Sequence, residues 1–270
     1  MKTNTDWDAQ AKWYDGIVGE KGSYYHHEVI IPTLLKEMGN LENQSVLDLG
    51  CGQGFFCRIL SEKKAKVVGI DLSQELIRLA KKYPNDRIQY YVANAEELSF
   101  LHDEMFDFIV SILSLGNMRD LDKVFREVAR LLKTTGKFYF VIIHPCFRIP
   151  RQSQWEYDDN QKLQYRRIQR YLSELEIPII THPGKVSRQK ELQDQDYTIM
   201  FHRPLSVIMK HLKNHNLLIS NLIELTSNKV SVGKRAKAEN QARKEIPLFL
   251  LAEVVKKEVS RNSNLVNHKL

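Results

Sequence analysis

The chain has 270 residues, 43% of them apolar, and a formal net charge of +7, enough to bury a sizeable core as one α/β domain with additions. Its longest apolar runs, residues 106–113 and 246–255, fall far short of the roughly 20 residues of a membrane-spanning helix, and the polar stretch 1–15 lacks the basic-then-apolar layout of a signal peptide; a cytoplasmic protein with no membrane partner is expected. Cys51, Cys57 and Cys146 are too few and too irregularly spaced for a disulfide framework or a zinc site, so they read as reduced thiols with no metal.

Residues 7–38 place apolar and aromatic side chains at helical spacing, with Pro32 fitting an early turn and Gly39 a stop, which predicts a helical lead-in over residues 1–43. A strand follows at 45–49, then a glycine loop, a helix to about Lys63 and a second strand at 66–70. Ser73 caps the next helix with Glu75 in its first turn. Strands at 88–92 and 106–113, a helix over 121–133 stopped at Thr134-Thr135-Gly136, and a strand at 137–143 complete residues 44–144. Strands alternating with helices imply a parallel sheet with right-handed crossovers. Residues 145–202 break the rhythm with a polar stretch rich in Gln, Arg and Tyr, holding one predicted helix and the turn His182-Pro183-Gly184; long insertions of this kind serve as lids or binding loops. Over 203–258 the pattern resumes with a helix at 204–214, a strand at 217–225, a basic segment to Lys244 and a strand at 248–255, before a frayed tail at 259–270.

Charge follows the same division. Residues 1–150 carry 19 Lys or Arg against 20 Asp or Glu, while residues 151–270 carry 21 against 13. The bases of the second half are scattered with few aromatics between them, which points to a solvated face rather than a nucleic-acid surface.

The chemistry sits in Val46-Leu47-Asp48-Leu49-Gly50-Cys51-Gly52-Gln53-Gly54, followed by Gly69-Ile70-Asp71. Glycines at a strand-to-helix turn let the backbone approach a ligand, and an acid about 20 residues on can accept both hydroxyls of a ribose. The spacing is G-x-G-x-G with Phe55 next, not the dinucleotide G-x-G-x-x-G. Asp48 would stand close to a pyrophosphate, which electrostatics disfavours, whereas it suits an ammonium group. A zwitterionic nucleoside fits better than a dinucleotide.

These motifs, in this order, resemble the class I S-adenosylmethionine-dependent methyltransferases over residues 44–143 and again over 202–255. The resemblance implies a Rossmann-like seven-stranded, mostly parallel sheet with helices on both faces and one antiparallel strand near the C-terminus. It implies S-adenosylmethionine as cofactor, with Gly50, Cys51, Gly52 and Gly54 forming its loop, Asp48 turned to the methionine amine, Asp71 on the ribose and Leu72 on the adenine. The stretch Ala93-Asn94-Ala95-Glu96-Glu97-Leu98 matches a family segment in which an acid usually accepts from the adenine amino group; Asn94 stands in its place, beside Ala95 and Glu96, and its carbonyl can still accept. Ser111 to Leu115 matches the segment lining the methionine side, with Asn117 and Met118 at the pocket mouth. His144-Pro145-Cys146-Phe147, Tyr24-Tyr25-His26 and Phe201-His202-Arg203-Pro204 resemble a generic branch acting on small molecules.

The expected enzyme moves a methyl group to a small organic acceptor by direct displacement, as a monomer or homodimer. His144 and Tyr25 are the catalytic candidates, and Tyr14, Asn117, His144 and His202 the acceptor-side ones; each also fits ordinary packing or a structural hydrogen bond. Trp155 and Tyr157 either stack on an acceptor or pin the insertion. Two alternatives stay open: an RNA or protein methyltransferase docking through the basic second half, and a non-catalytic S-adenosylmethionine-binding protein.

Overall fold

The computed structural model describes residues 7–180 and 197–257; the turn at His182-Pro183-Gly184 and the tail at 259–270 lie outside the described residues. Seven strands form one sheet: β1 (Ser45–Leu49), β2 (Lys66–Asp71), β3 (Ile88–Val92), β4 (Phe106–Ile112), β5 (Leu132–Ile143), β10 (Leu217–Leu225) and β11 (Phe249–Lys256). Their spatial order is β10-β11-β5-β4-β1-β2-β3. The pairs β1–β2, β2–β3, β1–β4 and β4–β5 are parallel, and β11 runs antiparallel to both β5 and β10. The expected single reversed strand is therefore β11. Helices α1 (Ala11–Val18), α2 (Ile31–Met38), α3 (Phe55–Glu62), α4 (Gln74–Ala80), α5 (Leu121–Leu131), α6 (Leu205–Asn214) and α7 (Ala236–Glu245) account for the rest of the regular framework. None is long and apolar enough to cross a membrane.

β1 is paired on both edges and covered on both faces, which explains why Val46, Leu47 and Leu49 are all buried, with Asp48 the one buried polar residue among them. Val46 belongs to the core on one face, with Leu34, Phe56 and Tyr139 among its members, while Leu47 and Leu49 belong to the core on the other, with Phe125, Phe138 and Leu212. The strand order reverses between β1 and β4, so the crevice beyond their C-terminal ends is where a ligand sits in a fold of this kind. Local chemistry agrees with the sequence at the caps: Ser73 accepts from the Leu76 amide at 3.1 Å to start α4, and Pro32 stands in the first turn of α2.

The described residues of the insertion contain no helix; they form two antiparallel strand pairs, β6 (Ser153–Asp158) with β7 (Leu163–Ile168) and β8 (Leu175–Ile180) with β9 (Tyr197–His202). The more buried side of β7 carries Gln164, Arg166 and Ile168, so polar residues occupy positions where alternation would show apolar ones. Arg166 lies directly across from Trp155 in the β6–β7 register, and its guanidinium sits over the indole at 5.2 Å. A long cationic side chain packed along an aromatic serves as an apolar pair across strands.

Candidate active site

Gly50, Gly52 and Gly54 turn the chain from β1 into α3 with φ values of 73°, 56° and 78°, a left-handed region that side chains rarely tolerate. The amides of Gly50 and Cys51 both donate to the Ile70 carbonyl at 2.9 Å. The Gly52 amide donates to Asp71 Oδ2 and the Ser73 amide to Asp71 Oδ1, each at 2.9 Å. One carboxylate at the end of β2 thereby ties the glycine loop to the start of α4. Space as well as φ requires glycine: a Cβ at Gly50 would lie 2.5 Å from Ser114 Cβ, and one at Gly54 would run into the Tyr90 hydroxyl.

A cleft of about 600 Å³ opens over this loop, lined by Gly50, Ile70, Asp71, Leu72, Asn94, Ala95, Glu96, Ser114, Asn117 and Met118, with Trp7 and Arg119. It brings together eight of the residues named for the site in the sequence, from the C-terminal ends of four strands and the loops that follow them. Leu72 is 44% exposed, an apolar side chain left at the rim. Asn94 Oδ1 accepts from the Glu96 amide at 3.0 Å, and Glu96 Oε1 from the Asp120 amide at 3.0 Å. Ser114 lies in the expected segment 111–115, whereas sequence reasoning missed Trp7 and Arg119. The Ser114 hydroxyl donates to the Leu49 carbonyl at 2.7 Å and stands 2.5 Å from the Ser111 hydroxyl.

Cys51, Gly52 and Gly54 belong to the loop without lining the cleft, and Ser111 and Asp48 lie buried beneath it. Asp48 Oδ2 accepts from the Cys57 thiol at 3.2 Å. Burial raises its carboxyl to about 7, against the pull of the Cys57 hydrogen bond and with a further push from Asp71. A folded-state value above the ordinary 3.8 means that the native state holds a proton which the unfolded chain releases. The stability this provides is complete below pH 3.8, drains away as pH rises and is gone above about pH 7. Asp48→Asn is therefore expected to gain on the parent protein between those limits, at about 1.4 kcal/mol per unit, with a constant difference above. Urea midpoints across pH 4–9 measure this, and a pH-independent difference would contradict it.

Tyr14 packs against Gly52, its phenol held protonated by burial and by the charges of Asp71 and Asp48. Tyr25 stands 3.2 Å from the Ser227 hydroxyl and edge-on to Phe249, away from the cleft lining. His144 has both ring nitrogens engaged: Nδ1 accepts from the Cys146 amide, and Nε2 meets Glu224 Oε1 at 2.9 Å. Burial lowers its pKa although Glu224 opposes.

A second cavity adjoins the segment 113–116, lined there by Leu113, Leu115 and Gly116. The ends of β4, β5 and β9 wall it with Leu115, Ile142, Met200 and Phe201, and Arg148, His202 and Arg203 join them. His202 Nε2 donates to the Tyr171 carbonyl at 2.8 Å, which fixes the tautomer with the lone pair on Nδ1; burial lowers its pKa. Arg203 donates to the carbonyls of Met118 and Arg119, linking β9 to the wall of the first cleft. Among the described residues, no group of three His, Cys, Asp or Glu side chains could hold a metal ion.

Residues 47–140 match the family model described as a methyltransferase domain. The chain is 26% identical over 139 residues to the ubiquinone biosynthesis O-methyltransferase of Hydrogenovibrio crunogenus, covering 50% of this chain and 57% of that one. It is 26% identical over 200 residues to the malonyl-[acyl-carrier protein] O-methyltransferase of Priestia megaterium, covering 68% and 71%. The chain thus spans little more than half the length of the first of these curated relatives. The crystal structure of an S-adenosylmethionine dependent methyltransferase from Mesorhizobium loti superposes with a TM-score of 0.62 at 28% identity, covering 83% of this chain and 95% of that one.

Proposed function

The core of this chain is a class I S-adenosylmethionine-dependent methyltransferase domain, and from that premise we propose that the protein methylates a small organic acceptor held in the second cavity. The observation that carries this reading is the pair of cavities meeting at one short segment, residues 113–118, beyond the C-terminal ends of β4 and β1.

S-adenosylmethionine is the cofactor that the family and its solved relatives imply, and the first cleft fits it on three counts. The glycine cradle is one that a Cβ would fill, an acid at the end of β2 lines the cleft, and an apolar side chain is left exposed at its rim. Gly50 and its loop would hold the methionine portion, Asp71 the ribose hydroxyls, Leu72 one face of the adenine, and Asn94 its amino group. Asp48, under the loop, would favour an ammonium above it once ionised, by charge rather than contact. When bound, the cofactor supplies a methyl group already activated as a sulfonium. The remaining work for the protein is to align the acceptor atom with that methyl and exclude water. The β8–β9 pair closes the acceptor side, held by Arg203 on the carbonyls of Met118 and Arg119 and by the Arg119–Glu176 ion pair. Where the acceptor atom carries a proton, His202 Nδ1 is the base best placed to take it. Its depressed pKa keeps the ring neutral at neutral pH.

Titration calorimetry with S-adenosylmethionine and with NAD, followed by a screen for S-adenosylhomocysteine release over small-molecule acceptors, tests the proposal. Binding of S-adenosylmethionine alone and turnover with a small acceptor are expected. Binding without turnover on any acceptor would favour a holding protein, and turnover only on RNA or protein would move the acceptor outside the cavity.

A further inference from the structure

Among the described residues no carboxylate lines the second cavity, and the charged groups there are Arg148 and Arg203, set with His202 in a mainly apolar wall. The two arginines are differently employed. Arg203 has Glu174 first among its acidic neighbours and Asp120 next, and its Nη2 is engaged by the Met118 and Arg119 carbonyls. Arg148 donates from Nε to the Pro247 carbonyl at 3.1 Å and from Nη2 to the Ile246 carbonyl at 3.4 Å, and no ion pair to it is found among the described residues.

Arg148 also lies beside a second cation. Its guanidinium stands 4.8 Å from the Trp155 ring centre, and that of Arg166 stands 5.2 Å from the same ring. Arg166 donates to the Phe147 carbonyl and to Ser153 Oγ, again with no carboxylate partner among the described residues. Burial first and Arg166 second pull the Arg148 pKa down to about 10, and Arg243 adds to the same push. Two guanidiniums that share one indole, half-buried and without an acid between them, form a positive site that an oxyanion would relieve.

We propose that the acceptor is an amphiphilic organic anion, its apolar body lying against Leu115, Ile142, Met200 and Phe201 and its carboxylate or phosphate group meeting Arg148, with Arg166 behind. This rests on the second cavity being the acceptor site. The planar fork of a guanidinium suits either oxyanion, so the experiment separates the two.

The test is calorimetric binding of four probes of one chain length, octanoate, octyl phosphate, octanol and octylamine, to the protein saturated with S-adenosylhomocysteine. Octanoate or octyl phosphate is expected to bind at least about tenfold more tightly than octanol, and octylamine more weakly still. The tighter of the two anions identifies the group. Arg148→Met should bring the preferred anion down to the affinity of octanol, while Arg148→Lys, which keeps the charge, should retain part of the preference. Because Arg148 also holds the 246–247 carbonyls, Arg166→Met is measured alongside as a variant outside the cavity wall and should weaken the preference without abolishing it. Equal affinities for octanoate, octyl phosphate and octanol, or an anion preference that survives Arg148→Met, would overturn the inference; so would the absence of binding by all four probes. Failure of S-adenosylhomocysteine to bind at all would strike at the cofactor reading instead, and the two failures are told apart in the same titration series.

Discussion

Replacing Gly50 with valine is expected to abolish measurable binding of S-adenosylmethionine, a loss of about a hundredfold or more. At φ 73° a β-branched side chain is an outlier, and holding a non-glycine residue there costs about 1–3 kcal/mol. The clash is more severe than the strain, because a Cβ at this position comes within 2.5 Å of Ser114 Cβ and 2.8 Å of Ser114 Oγ. Ser114 cannot simply turn away, since its hydroxyl donates to the Leu49 carbonyl. The loop must move, and with it the amides of Gly50 and Cys51 that pin it to β2. Gly50→Ala should show the same effect in milder form, and Ser114→Gly should restore part of the loss in the Gly50→Ala background by removing the obstructing Cβ. A double-mutant cycle on cofactor affinity measures that coupling. Additive effects would show that the two residues do not meet, and near-parental affinity in Gly50→Val would remove the loop from the cofactor site.

The second large effect is expected at Asp71. A hydrogen bond to a charged acceptor is worth about 1.5–3 kcal/mol, so Asp71→Ala should raise the dissociation constant for S-adenosylmethionine by roughly tenfold to a hundredfold from the ribose contact. Further loss should come from the loop, because the Gly52 and Ser73 amides lose their acceptor. Asp71→Asn is not a mild change here: one of its two terminal atoms becomes a donor facing a backbone N–H. At saturating cofactor kcat should change far less than KM, since Asp71 holds the nucleoside and not the reacting atoms. Calorimetry and initial rates measure both. Unchanged affinity in Asp71→Ala would move the ribose elsewhere in the cleft.

The two sites differ in how far they could be read from the chain. The cofactor side was legible because its residues are local: three glycines within five positions, and an acid 19 positions beyond Gly52 at the end of the neighbouring strand. Residues that follow consecutive parallel strands are brought to one edge of the sheet by the crossover rule alone, which is why Asp71, Asn94 and Asn117 share a cleft with Gly50. Asp48 was legible as an acid near the site, but not as one buried under the loop with a thiol for a partner. Histidine position was a poor guide to histidine role. His144 follows directly on β5, where ligands collect, yet Glu224 of β10 and the Cys146 amide take up both its nitrogens.

The sequence by itself determined the sheet and the cofactor loop, since the periodicity of its strands and the spacing of its glycines are properties of contiguous residues. The reversed strand β11 came from family resemblance, because alternation in a single strand carries no direction. The tertiary structure alone decided the acceptor side. Its wall joins Leu115, Ile142, Arg148 and Met200, whose separation along the chain exceeds anything that helical or strand periodicity can report. The β6–β7 pair hides its pattern, because the Arg166 side chain packed over Trp155 replaces an apolar residue that would mark a buried face. Which charges lack a partner is likewise a fact of packing. Arg148 and Arg166 are two of many scattered bases in the sequence, and only the fold sets them on one indole with no ion-pair partner among the described residues.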